Sequence, residues 1–147
     1  MNNNNINDKT AEMLLSRARA AMLHAYAPYS HFNVGAAILF DDDTVFTGCN
    51  VENSSYSLSI CAERNAMTTA VANGLTKPLA IAIVCRDGTF CPPCGACRQF
   101  LCEFNPDMTV ILDPAPDSSD EKYVSLALKD LLPYSFDAEN LKDRKGE

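Results

Sequence analysis

The sequence predicts an α/β fold, a three-layer α/β/α sandwich built on a mixed five-stranded sheet, and three observations carry the prediction. Segments with apolar residues at helical spacing alternate with short apolar runs throughout the chain. The run Ala80-Ile81-Ala82-Ile83-Val84-Cys85 is unbroken, as a buried strand is. At 147 residues and 47% hydrophobic composition, the chain matches one domain with a real core, without internal repeats or a second domain.

The elements follow in order. Residues 1–9, opening Met1-Asn2-Asn3-Asn4-Asn5-Ile6, are expected to form a disordered Asn-rich tail, with a single domain over 10–147. From Ala11 to Ala27, Leu14, Leu15, Ala18, Met22, Leu23 and Ala25 recur at helical spacing, and Pro28 cannot continue the helix. Val34 to Phe40 and Thr44 to Cys49 flank Asp41-Asp42-Asp43 and read as a hairpin. Glu63 to Ala72 has helical composition and stops at Asn73-Gly74, a C-terminal cap. After the strand at 80–85, a helix is expected from Gly95 to Glu103 and a strand at Thr109 to Leu112. Pro114 to Asp120 is a polar connection, Lys122 to Ser125 an edge strand, and Leu126 to Leu131 a short helix.

Composition excludes several classes of function. A net charge of -7 argues against a nucleic-acid partner, since such binders need a basic stripe for counterion release. No apolar run approaches the roughly 20 residues that span a bilayer. The N-terminus lacks the apolar stretch of a signal peptide, so the expected location is cytoplasmic. Seven cysteines, an odd number, read as reduced thiols and not as a disulfide framework.

The chemistry concentrates in Cys61-Ala62-Glu63 and Pro93-Cys94-Gly95-Ala96-Cys97. Cys61, Cys94 and Cys97 supply three thiolates. A catalytic Zn2+ has three protein ligands and a fourth position left for water, whereas a structural zinc is closed by four. Glu63 beside such a centre is worth more as a proton carrier than as a ligand. This is the arrangement of zinc nucleobase deaminases, in which a Glu follows the first ligand by two and a Pro-Cys-x-x-Cys supplies the others. Both segments open helices, where unpaired N–H groups favour thiolate over thiol. Arg64 is placed to hydrogen-bond the ligand sulfurs and offset their charge; the alternative is a solvent-facing helical arginine.

Two other readings compete. Cys91, Cys94 and Cys97 form a C-x-x-C-x-x-C run suggestive of an iron–sulfur cluster, but Cys102 points roughly 140° away around the helix. That reading also leaves Cys61 and Glu63 unexplained. Cys91 as a fourth ligand would make a purely structural zinc and waste Glu63. Cys49, Cys85 and Cys102 read as small buried apolar residues, and His24 and His31 fall in no ligand pattern. Asn50 and Glu52 project to one face of an extended segment, suited to a sugar hydroxyl, or else they shape a turn.

Beyond the zinc segments, the chain carries Tyr26-Ala27-Pro28-Tyr29-Ser30-His31-Phe32-Asn33-Val34-Gly35-Ala36-Ala37, Gly48-Cys49-Asn50-Val51-Glu52-Asn53, and Leu131-Leu132-Pro133 followed by Phe136. With these it resembles the small homotetrameric cytidine deaminases, from about Ala11 to Leu141. The resemblance implies one zinc per subunit on Cys61, Cys94 and Cys97, and Glu63 as the proton shuttle in hydrolytic deamination of cytidine and 2'-deoxycytidine. It implies Asn50 and Glu52 on the ribose 3'-hydroxyl, Phe32 beside sugar and base, and the Ala62 backbone on the pyrimidine. Ser54, Tyr56 and Phe136 would reach a neighbouring subunit's site, and Gln99 would support the metal cluster with Arg64. A blasticidin-type deaminase shares a three-cysteine site, but the Asn50 to Asn53 run and Phe136 favour a nucleoside. The chain departs from the family pattern at Ser54-Ser55, at Pro92, and at Tyr134, which stands where glycine is common.

Overall fold

The computed structural model describes residues 6–118 and 120–142. The main elements are α1 (Asp8–Met22), β1 (Val34–Phe40), β2 (Val45–Cys49), α2 (Ala62–Ala72), β3 (Pro78–Cys85), α3 (Gly95–Cys102), β4 (Thr109–Leu112) and β5 (Val124–Ala127). Single 3-10 turns occupy Tyr56–Leu58, Leu128–Leu131 and Ala138–Leu141. The sheet has five strands in the order β2-β1-β3-β4-β5. It is mixed: β1 is antiparallel to β2 and β3, β3 and β4 are parallel, and β4 and β5 are antiparallel.

The unbroken apolar runs of β1, β3 and β4 are explained by burial on both faces. Ala37, Leu39, Ala80, Ala82, Val84 and Ile111 meet Ala11, Leu14, Leu15 and Ala18 of α1. The alternate positions, among them Ile38, Phe40, Ile81, Ile83 and Leu112, meet Ala66, Met67 and Ala70 of α2 and Leu101 of α3. This gives the three-layer sandwich. The Arg19 guanidinium and the buried Asp113 carboxylate pair across the first layer, tying α1 to the exit of β4.

Several boundaries move. Asn7 caps α1 through a hydrogen bond from the Thr10 N–H (2.8 Å), so residues 7–9, expected in the tail, belong to the helix start. Residues 1–5 lie outside the described residues. α1 ends at Met22, well before Pro28. The reason is tertiary: the Tyr26 N–H donates to the Asn50 carbonyl (3.0 Å) and its carbonyl accepts from the Glu52 N–H (2.8 Å), which spends its backbone on a distant segment. β5 lies two residues later than expected, in register with β4 through Leu126 and Val110, and the helix expected at 126–131 is a single 3-10 turn. Tyr134, in the slot where glycine is common, has a left-handed φ of 54°.

Gly48 sets how closely α2 approaches the sheet. A Cβ there would sit 2.4 Å from the Ala66 nitrogen and 2.7 Å from the Ala62 carbonyl oxygen, both backbone atoms that cannot swing aside. Gly48→Ala is therefore expected to lower stability by about 3 kcal/mol or more, at or above the usual cost of overpacking. Chemical denaturation checks this, and a loss below about 0.5 kcal/mol, within the range of neutral surface changes, would contradict the close approach.

Candidate active site

α2 and α3 aim their N-termini at one point. Cys61 is the N-cap residue of α2 and Cys94 that of α3, and neither thiol is used for capping. Cys97 lies in the first turn of α3 and is fully buried. The three sulfurs lie within 4.8 Å of one another, with Cys61 Sγ and Cys94 Sγ 3.8 Å apart. Tetrahedral thiolates bound at about 2.3 Å stand about 3.8 Å apart, so the donor set fits a zinc ion. Cys91 is outside this cluster, which leaves a three-thiolate set and removes the closed four-cysteine alternative among the described residues.

The electrostatics suit metal ligation. A hydrogen bond with Cys97, aided by Arg64, holds the Cys61 thiol down at about 5. The same bond and burial push the Cys97 thiol up. Arg64 Nη2 donates to Cys61 Sγ at 3.7 Å, which places this side chain on the sulfur cluster and not in solvent. Asn65 Nδ2 donates to the Cys49 carbonyl (2.9 Å) and pins the first turn of α2 to β2.

Glu63, in that same turn, is 4% exposed. Burial, with the nearby Cys61 charge adding to it, pushes its carboxyl up to about 7. Such a group can both accept and return a proton near neutral pH.

Cys61, Cys94 and Glu63 line a cavity of about 350 Å³, and the buried Cys97 lies outside its lining. Ser30, Phe32, Val34, Asn50, Glu52, Ala62, Cys91 and Pro92 form the rest of its walls. Asn50 accepts from the Val34 N–H and donates to the Phe32 carbonyl, each at 2.8 Å, leaving its amide one lone pair and one N–H for a ligand. Glu52 Oε1 accepts from the backbone N–H groups of Tyr29 and Ser30 at 3.1 Å. Hydrogen bonds from Ser30 hold its carboxyl below the ordinary glutamate range. Burial and the neighbouring Cys85 push the Cys91 thiol up to about 12, so this cavity-lining group stays protonated.

Ser54, Tyr56 and Phe136 are exposed and do not line this cavity. Gln99 Nε2 donates to the Phe136 carbonyl at 2.8 Å, which anchors the C-terminal segment to α3. Its position two residues after Cys97 turns it outward on the short helix. Arg98 does the supporting work that sequence reasoning missed. Its Nε donates to the Pro93 carbonyl (2.7 Å) and its Nη1 to the Leu131 carbonyl (2.8 Å), which braces the loop delivering Cys94. Both acceptors are backbone atoms, present at every residue, so no side-chain pattern announces the contact.

Residues 8–113 match the family model described as the cytidine and deoxycytidylate deaminase zinc-binding region. A cytidine deaminase of Sporosarcina psychrophila is 43% identical over 131 residues, covering 88% of this chain and 93% of the relative. One from Halalkalibacterium halodurans is 44% identical over 133 residues, covering 90% and 98%. The crystal structure of cytidine deaminase from Burkholderia pseudomallei superposes with a TM-score of 0.77 at 43% identity, over 85% of this chain and 98% of that one.

Proposed function

The chain belongs to the cytidine and deoxycytidylate deaminase zinc-binding family, and on that premise we propose that it hydrolyses cytidine and 2'-deoxycytidine to uridine and 2'-deoxyuridine, releasing ammonia, in pyrimidine salvage. One observation carries the reading: three mutually close thiols stand at two helix N-termini, and two of them, Cys61 and Cys94, line one cavity with the buried Glu63.

Cys61, Cys94 and Cys97 would hold the Zn2+, one per subunit. The ion, when bound, supplies Lewis-acid activation that brings the pKa of a water toward about 7. Glu63 takes a proton from the attacking water and delivers it to ring N3, making C4 electrophilic. The same carboxyl then carries a proton to the departing amine. Arg64 and the two helix N-termini offset the charge of the sulfurs. The spare Asn50 groups and the Glu52 carboxylate take the ribose 3'-hydroxyl, Phe32 packs beside sugar and base, and the Ala62 backbone reads the ring. A carboxylate at Glu52 repels a phosphorylated sugar, which favours nucleosides over nucleotides.

The chain works as a single domain in a homotetramer whose Ser54, Tyr56 and Phe136 reach a neighbour's site. The exposure of Tyr56 (73%) and Phe136 (58%) supports this. The charge of -7 speaks against nucleic-acid partners. No helix among the described residues is long and apolar enough to cross a membrane. All seven cysteines are free, which supports a cytoplasmic, reducing location.

The test is chromatography of cytidine incubated with purified, zinc-loaded protein. Conversion to uridine is expected, with 2'-deoxycytidine also consumed and blasticidin S left intact. A folded protein with a full complement of zinc that converts neither nucleoside would overturn the assignment.

A further inference from the structure

Phe32 forms a cavity wall, yet it lies on an irregular segment between Ala27 and β1, 38% exposed. Something outside that segment must hold it. Asn50 takes the Phe32 carbonyl from the cavity side. Arg86, the first residue after β3, makes three contacts with the same segment. Its backbone N–H donates to the Asn33 carbonyl at 2.9 Å, extending the β1/β3 ladder by one bond and fixing where its side chain starts. Its Nη1 donates to the His31 carbonyl at 2.7 Å. Its guanidinium lies 6.0 Å from the centroid of the Phe32 ring, within cation–π range. Asp87 Oδ1 accepts from its Nε at 3.2 Å and orients the fork.

His31 adopts a left-handed φ of 56°, a conformation that a non-glycine residue keeps only where its surroundings impose it. The charged donor on its carbonyl is such a constraint. We infer that Arg86 is a positioning residue for substrate binding: it clamps the His31–Phe32 peptide and the Phe32 ring so that the cavity wall is preformed. This rests on the proposed function for its substrate, while the clamp itself stands on the contacts above.

A wall that touches substrate and transition state alike affects KM and leaves kcat in place. Arg86→Met keeps the apolar stem and the backbone bond to Asn33 but removes the cation and every side-chain donor. It is expected to raise the KM for cytidine about fivefold, with kcat within about twofold of the wild type, the size of effect expected for one lost charged hydrogen bond in a partly exposed site. Arg86→Lys retains the cation and one cluster of donors, and its KM should fall between the two. Amide exchange of the 31–34 segment should be faster in the Met variant, since loss of a local constraint lowers local opening free energy. A KM within about twofold of the wild type, or a fall in kcat at constant KM as a smaller active fraction would give, overturns the inference. Should the wild type convert neither nucleoside, the functional reading fails separately. Exchange alone then judges the clamp, and an unchanged rate across 31–34 rejects it.

Discussion

Glu63→Gln is expected to lower cytidine turnover by about a hundredfold to ten-thousandfold, the contribution of a positioned proton carrier, while the three sulfurs still bind zinc. Gln is nearly isosteric, so the cavity floor keeps its shape, but the amide cannot accept a proton from water and pass it to N3. Conversion of cytidine, read beside the zinc content of the same sample, is the measurement. Near-normal turnover would reject Glu63 as the shuttle.

The same substitution has an opposite effect on stability. Burial raises the Glu63 carboxyl from 4.5 to about 7 on folding, so in metal-free protein the native state holds this proton more tightly than the unfolded chain. Stability then falls as pH rises from about 4.5 to about 7 and stays reduced above it. At about 1.4 kcal/mol per unit, the carboxylate costs about 3 kcal/mol at pH 8, which Gln escapes. Metal-free Glu63→Gln is therefore expected to be the more stable of the two at pH 8, with the gap closing toward pH 4.5. Denaturation across that range decides it, and a gap independent of pH would contradict the burial of an ionising group.

Cys94→Ala is expected to abolish stoichiometric zinc binding and reduce turnover below detection. Two thiolates leave a centre one ligand short. The fold should survive, because Cys94 is exposed and its thiol caps no backbone group. Loss of zinc on dialysis with an unchanged far-UV spectrum is the expected result. A second readout is linkage: chelation should lower the melting temperature of the wild type and leave that of the variant unmoved, since only a bound ligand contributes stability. A full equivalent of zinc held by the variant at wild-type affinity would show the ligand set to be wrong.

Legibility followed the range of the interactions involved. The hairpin at 34–49, the helix stop at Asn73-Gly74 and the strands at 80–85 and 109–112 rest on spacing, turn chemistry and burial, and all stand in the structure. The ends of α1 and β5 were misplaced because bonds to Asn50, Glu52 and Val110 decide them, and local periodicity is blind to such partners. In the site, the thiols and Glu63 were legible since their chemistry requires particular residue types at particular spacings. Arg98 and Arg86 were not, because their side chains bind backbone carbonyls, which every residue carries.

The sequence alone determined which atoms are available for chemistry: three thiols and a carboxylate, each beside a segment whose composition makes it a helix. Only the tertiary structure decided which of them meet. Cys91 is three residues from Cys94 and stays out of the cluster, whereas Cys61, 33 residues away, joins it at 3.8 Å. The physical reason is topology: the order β2-β1-β3-β4 sets α2 and α3 on one face of the sheet, and close backbone packing at Gly48 brings the first turn of α2 down to it. Burial by those same layers raises the Glu63 carboxyl to about 7, a property that no residue type carries by itself.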